Sequence, residues 1–407
     1  MDLFKLIYVT PPKAQSFDTS SNKSHTCDQK EIPVFLIPGI NGNGSELEQL
    51  ALALREKRSD TAPMYVYEEP TNDYGLPQTS SLEAHAKSIA LEILEKTNYS
   101  PLPKIIAGFS FGGILAAEVA RELQKMHYDP QLYVIDEPAK SLIRERADSA
   151  NTESKSYKSF IADLLKVADY AARLSGLKSL ESLNLKIDTS TLTYLKKEGR
   201  INSFFNSLIR QQDTIPDALA ATKFVRFLQI AKRNLTYTVS KDSNPDIKLA
   251  SMHLILTLET ALKYGANNDN ANSFTGAWEQ YCKEVTLLKP ADNDNKLKVL
   301  SHMDLLREGN AELVATLIAD SLEHNLTPKK LRERQLEAID VSFNMMQSNS
   351  TEEPNLPALS KEPSTFFHPT PTKAPLRSTK SYDGLSSLEQ TPSNLIDRPS
   401  SPLIKAN

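Results

Sequence analysis

Along the first third of the chain, short unbroken apolar runs alternate with stretches whose apolar positions recur at helical spacing. Pro33 to Ile37 is such a run, closed by Pro38 and Gly39, and it reads as a buried strand ending in a turn. Ser45 to Leu54 follows with helical periodicity and with Ser45 as an N-cap candidate. Met64–Tyr67 then reads as a strand, Ser81–Lys96 as a helix, Lys104–Ala107 as a strand, Gly112–Met126 as a helix and Leu132–Ile135 as a strand. Strands alternating with helices at this spacing predict a mostly parallel sheet covered by helices on both faces, an α/β fold.

The alternation stops near Asp136. Residues 139–240 carry helical patterns over Tyr157–Ser175, Ser190–Lys197, Ile201–Arg210 and Pro216–Val239 without a strand pattern, which predicts a long helical insertion that caps the sheet. Strand patterns return at His253–Leu258, Val285–Leu288 and Lys298–Leu300, followed by helices at Ala311–Glu323 and Lys329–Met346. Residues 14–31 are polar and rich in Ser, Thr and Lys, and the segment from about residue 350 holds nine of the 24 prolines. Such segments bury too little apolar surface to offset the entropy of ordering, so both are expected to lack a packed structure. Thr370-Pro371, Thr391-Pro392 and Ser401-Pro402 are phosphoacceptor dipeptides of a kind that arises readily in such a tail. The expected division is an N-terminal strand and flexible arm (1–31), a first part of the core (32–138), a helical lid insertion (139–247), a second part of the core with C-terminal helices (248–347) and a Pro/Ser/Thr-rich tail (348–407).

Composition narrows the chemistry. With 47 Lys and Arg against 51 Asp and Glu in 407 residues, the chain has no excess of positive charge for a phosphate backbone, so nucleic acid is not its expected partner. The insertion runs against this balance with about six more basic than acidic side chains, which fits a solvated helical surface or a docking face for an acidic partner. No run of about 18 apolar residues is present, so no integral membrane segment is expected. The first residues carry too short an apolar stretch, and no small-residue cleavage site, for a secretory signal. Cys27 and Cys282 alone make neither a disulfide framework nor a zinc site, and no cofactor or metal motif is found. A cytoplasmic location is the default expectation, while a disordered tail also fits an export signal.

The most informative residues are Gly108-Phe109-Ser110-Phe111-Gly112-Gly113, between an expected strand and an expected helix. A G-x-S-x-G at that junction is a nucleophile elbow: glycines two residues either side remove the Cβ atoms that would clash in so tight a turn, and the helix aims its first N–H groups where negative charge develops. A serine needs a general base, and the base needs a carboxylate. Of seven histidines, His25 and His368 lie in the polar ends, His85 and His127 on or just after helices near the nucleophile, His253 in a strand and His324 at a helix end. His302, in a short loop between the last strand and a helix, is the candidate base. Asp136, directly after the Leu132–Ile135 strand, is the candidate acid, with Asp269 its rival and Asp304 too close in sequence to His302. Two oxyanion donors are expected, the amides of Phe111 and of Ile40 in the glycine-rich turn Gly39 to Gly44. A phosphate-cradling reading of that turn fails because no Gly-Lys-Ser/Thr follows.

From about Pro33 to Glu323 the chain resembles the thioesterase domains of nonribosomal peptide, polyketide and fatty acid synthases, members of the α/β-hydrolase superfamily. The stretches that carry the resemblance are Phe35 to Gly39, Gly108 to Gly113 running into Ala116 to Ala120, Val134 to Asp136, Gly276 to Trp278 and Leu300 to Met303. In that family the acid follows the strand after the nucleophile helix, which favours Asp136 over Asp269, and a helical lid is inserted after that strand. Two departures stand out: the lid is longer than usual, and Leu300 stands where the family usually has glycine two residues before the histidine. The resemblance implies a stand-alone thioesterase acting through an acyl-enzyme, without cofactor, on an acyl-phosphopantetheine carrier protein or acyl-CoA. Because residues 1–31 are too few to form a carrier domain, the donor is expected in trans. The rival readings are an oxygen-ester hydrolase, lipase or acyltransferase using the same residues, and an interaction protein on a hydrolase scaffold.

Overall fold

The computed structural model describes residues 4–7, 32–58, 63–71, 81–137, 155–183, 185, 192, 195, 197–240, 247–257, 259–260, 278–288, 301–302, 304–307 and 309–325. The chain divides into two units, Met1–Thr351 and Glu352–Asn407, and every described residue belongs to the first. The segments expected at 14–31, 298–300, 329–346 and beyond 348 lie outside the described residues, as does most of the helix expected at 190–197.

Seven strands are described: β1 (Phe4–Ile7), β2 (Val34–Ile37), β3 (Met64–Tyr67), β4 (Lys104–Phe109), β5 (Pro130–Ile135), β6 (Leu249–Ile255) and β7 (Cys282–Leu287). They form one sheet in the order β1-β3-β2-β4-β5-β6-β7. Six are parallel, and β1 pairs antiparallel with β3 at one edge. Helices α1 (Glu48–Arg58), α2 (Leu82–Lys96), α3 (Phe111–Lys125) and α7 (Ala311–Asn325) belong to the sheet. Side chains of α2 and α3 share one hydrophobic cluster with one face, and those of α1 and α7 share a second with the other. β2 and β4 are fully buried, as strands covered on both faces must be. The chain leaves β2 toward β3 on one side and returns to β4 on the other, so the direction of winding reverses between them. In parallel sheets a crevice opens at the carboxyl ends of two such strands.

Between β5 and β6 run α4 (Lys155–Leu174), α5 (Lys197–Ile209) and α6 (Ala218–Ser240). They enclose a hydrophobic cluster of their own, which includes Phe160, Phe204, Phe205 and Phe224. Ile40 packs against both this cluster and that of the sheet, joining the two.

Several boundaries differ from the sequence reading. The N-cap before α1 is Asn43, whose side chain accepts from the Ser45 amide at 3.4 Å, rather than Ser45, because a 3-10 turn over Gly44–Leu47 precedes the α-helix. β6 runs from Leu249 to Ile255 instead of from His253 to Leu258. Its first residues, Leu249 and Ser251, pair only with β7, and Ala250 is exposed, so this part of the strand carries no apolar run to announce it. His253 accordingly sits inside the strand, buried and stacked on Tyr133 with ring centroids 4.8 Å apart. β7 starts at Cys282, three residues early, its exposed Lys283 and Glu284 being typical of a sheet edge.

Candidate functional site

β4 passes into α3 through a single residue, Ser110, with φ 53° and ψ −132°. For a residue with a Cβ this conformation costs on the order of 1–3 kcal/mol, and the surroundings must enforce it. A Cβ on Gly108 would lie 2.0 Å from the Gly112 carbonyl oxygen, and one on Gly112 would lie 2.3 Å from that of Pro38. Glycine at both positions therefore lets the strand, the turn and the preceding loop touch backbone to backbone. Two hydrogen bonds fix the turn: Ser110 N donates to Ile135 O at 2.8 Å, and Gly113 N donates to Ser110 O at 2.7 Å. A Cβ on Gly113 would meet Val134 Cγ1 at 2.8 Å, so this third glycine brings α3 close onto β5. The Ser110 side chain does not cap α3, and the first N–H groups of that helix, Phe111 included, have no partner within it.

His302 lies 192 residues from Ser110 in sequence, yet its Nε2 is 3.0 Å from Ser110 Oγ. Its Nδ1 is 2.8 Å from Asp136 Oδ2. A carboxylate only accepts, so the Nδ1 carries the proton and Nε2 is left to accept from the serine hydroxyl. The ring is stacked on Phe109, centroids 4.8 Å apart, and the His302 amide donates to Glu259 Oε2 at 3.2 Å. Asp136 is 1% exposed and sits at φ 52° just past β5. Its Oδ1 accepts from the Thr257 amide at 2.7 Å, and the Thr260 hydroxyl lies 2.9 Å from Oδ2. Burial alone would raise the pKa of this carboxyl, but the hydrogen bonds from His302 and Thr257 outweigh it and hold the group below its ordinary value. Next door, burial and the charge of Asp136 push the carboxyl of Glu137 well above the usual carboxylate range, which favours its neutral form.

The turn after β2 faces the same place. Gly42 N donates to Gly39 O at 3.0 Å, with Gly42 at φ 65°, and the Gly39 amide donates to the Glu46 carboxylate. The Ile40 carbonyl accepts from Asn234 Nδ2 at 2.8 Å, and among the described residues nothing accepts from the Ile40 amide. Asp304 points elsewhere, accepting from Ser301 Oγ at 2.6 Å and pairing with Arg307 at 2.7 Å, and Asp269 lies outside the described residues. Among the described residues no group of three or more His, Cys, Asp and Glu could hold a metal ion, and no helix is long and apolar enough to cross a membrane.

The structure thus brings Ser110, His302 and Asp136 into one hydrogen-bonded line at the carboxyl ends of β4 and β5, with Phe111 and Ile40 beside it. The sequence reading passed over Thr257, Thr260, Glu259, Phe109 and Asn234. Thr257 and Thr260 carried a usable signal, two hydroxyls just past a strand that neighbours β5. The overlong strand expected at 253–258 hid it.

A mostly parallel sheet flanked by helices, with a serine elbow at the winding reversal, defines the class as an α/β-hydrolase fold. The model of the thioesterase domain family matches residues 32–295, and the chain belongs to that family of hydrolases. No curated protein sequence matches the chain. Similar solved structures include a four-domain nonribosomal peptide synthetase bound to AMP and glycine, at 18% identity and TM-score 0.44 over 72% of this chain. The chain spans 19% of that synthetase. Others are the Vlm2 thioesterase domain bound with a dodecadepsipeptide (17% identity, TM-score 0.41, 71% of this chain and 94% of that one) and the RedJ thioesterase of the prodiginine pathway in Streptomyces coelicolor (16%, 0.40, 76% and 93%).

Proposed function

We propose that this protein hydrolyses acyl thioesters with Ser110 as nucleophile, His302 as general base and acid, and Asp136 as the group that orients and stabilises the imidazole. The observation that carries the reading is the unbroken line from Ser110 Oγ through the His302 ring, 3.0 Å on one side and 2.8 Å to Asp136 on the other, in a chain of the thioesterase family. His302 Nε2 takes the hydroxyl proton as Oγ attacks the thioester carbonyl carbon. The resulting oxyanion is stabilised by the amides of Ile40 and Phe111. Collapse breaks the carbon–sulfur bond, the thiol leaves with the proton held by His302, and an ester on Ser110 remains. Water, deprotonated by His302, then releases the carboxylic acid and restores the serine. Helices α4 to α6 serve as the lid over this site, and the acyl donor is a carrier-protein phosphopantetheine or CoA thioester.

The test is thiol release from acyl-pantetheine and acyl-CoA thioesters beside matched oxygen esters, with wild type and Ser110→Ala in parallel. Thioester turnover lost in the alanine variant supports the reading. Turnover of oxygen esters alone transfers the residues to an esterase, and turnover that survives Ser110→Ala removes the nucleophile.

A further inference from the structure

Two polar groups at the start of the loop after β2, the Gly39 amide and the Ile40 carbonyl, are held by side chains from outside the loop's first turn. Asn234, on α6 and 2% exposed, donates through Nδ2 to the Ile40 carbonyl at 2.8 Å. Its Oδ1 accepts from Arg233 Nη2 at 2.7 Å, which fixes which end of the amide faces the loop. The Arg233 guanidinium in turn grips Glu69 with two bonds of 2.6 and 2.7 Å. Glu69 is 1% exposed, and its amide donates to Gly42 O at 3.2 Å. From α4, the Tyr170 hydroxyl donates at 2.6 Å to Glu46 Oε2, while the other oxygen of that carboxylate takes the Gly39 amide. Side-chain packing agrees: a Cβ on Gly42 would stand 3.1 Å from Ile230 Cγ2 of α6. The peptide groups on both sides of the Ile40 amide are thus set by residues of the helices between β5 and β6.

We propose that Asn234, with Tyr170 acting through Glu46, is a positioning residue that holds the Ile40 amide in oxyanion-binding orientation, so that the hole is complete only while α4 and α6 are seated on the sheet. The inference rests on the reading of Ile40 as an oxyanion donor. An amide donor works only when aimed at the point where the oxyanion forms, and mis-aiming it loses much of the roughly 10²–10³-fold that such a donor contributes. Asn234 acts through the backbone: it fixes the Ile40 carbonyl and so the Ile40–Asn41 peptide on one side of Ile40, while the Gly42 N–H on the Gly39 carbonyl fixes the Gly39–Ile40 peptide that carries the amide. Any movement of α6 that admits a long acyl arm releases this carbonyl, which makes bond cleavage wait for the helices to return.

Asn234→Asp is the discriminating variant, since it keeps the side-chain volume and the acceptor facing Arg233 and replaces the donor to Ile40 by an oxygen that repels the carbonyl. Tyr170→Phe removes the opposite tie. For the full chain, the rate of Ser110 labelling by a fluorophosphonate probe and the kcat and KM for an acyl-pantetheine thioester are measured, with melting temperature alongside. A fall of tenfold or more in kcat and in the maximal labelling rate for Asn234→Asp is expected, and a smaller fall for Tyr170→Phe. KM should stay unchanged, because substrate binding is untouched. Folded variants that both label and turn over within twofold of wild type overturn the inference while leaving the proposed reaction standing, as does a loss matched by an equal loss of folded protein. If Asn234→Asp does not fold, Tyr170→Phe decides by the same criterion. Wild type that never labels at Ser110, with Ser110→Ala equally active, removes the reaction and the inference together.

Discussion

The Thr257 amide donates to Asp136 Oδ1 at 2.7 Å, and the Thr257 hydroxyl lies 2.9 Å from the same oxygen. The end of β6 thereby holds the carboxylate that receives His302. Replacing Thr257 with Val keeps the shape and the amide bond but removes a hydroxyl from a buried anion, at a cost of about 1.5–3 kcal/mol. The depressed carboxyl of Asp136 favours the folded state above its unfolded pKa, and that advantage is lost as pH falls through the folded value. In Thr257→Val the folded value rises toward the unfolded one. Urea titrations across acidic pH should therefore show a smaller advantage, lost at higher pH than in wild type.

Glu137 gives a contrasting expectation. Burial and the charge on Asp136 push its carboxyl well above the usual carboxylate range, and Glu137→Gln mimics the neutral form that this favours. Turnover and its pH profile between 6 and 8 should match wild type within about twofold, since neutral polar swaps of this kind disturb little charge. A profile displaced by a full unit would mean that Glu137 is ionised beside Asp136.

Glycines at two places should respond oppositely to alanine. At Gly112 the new methyl would sit 2.3 Å from Pro38 O and 2.4 Å from Ile37 O, both backbone atoms that cannot step aside. Gly112→Ala should cost about 3 kcal/mol or more and abolish turnover. Gly199, near the start of α5, has Leu195 Cβ at 3.5 Å as its nearest neighbour, an ordinary contact. Gly199→Ala should stabilise by about 0.5 kcal/mol with activity retained, measured by denaturant midpoint and thiol release.

Burial lowers the pKa of His253 to about 4. An unfolded imidazole titrates near 6.5, so between these values the unfolded chain binds the extra proton and stability falls as pH falls. With roughly 1.4 kcal/mol per unit, the loss attributable to His253 approaches about 3 kcal/mol at pH 4. His253→Phe keeps a ring on Tyr133 and should flatten the stability curve over this window. An equal slope in both proteins would count against a buried neutral imidazole.

What the sequence disclosed about the site tracks how local each constraint is. Ser110 and its glycines declare themselves within six residues, because the turn they form is a matter of backbone sterics. Asp136 was legible as the residue after β5, though only the family resemblance set it above Asp269, and His302 was reached by setting the other histidines aside, the strand expected before it lying outside the described residues. Thr257 was not, because the weak start of β6, with Ala250 exposed, let the apolar run beyond it define the strand. Asn234 was less legible still. An asparagine inside a helix with lysine and arginine beside it reads as a solvated surface, and only the packing of α6 on the loop after β2 reveals that it is buried.

The separation of 192 residues between Ser110 and His302 also bears on how the protein comes to be made. As the chain leaves the ribosome, β2, β4 and α3 can form the strained elbow long before the histidine exists. The serine is then present without a base, and it stays an ordinary hydroxyl. On the proposed mechanism the serine gains its base only after the chain past β6 has supplied Thr257 and His302 has been made. Under the proposed reaction, a nascent or truncated chain ending before residue 301 would hold Ser110 without its base, so the order of synthesis itself would keep the unfinished protein inert.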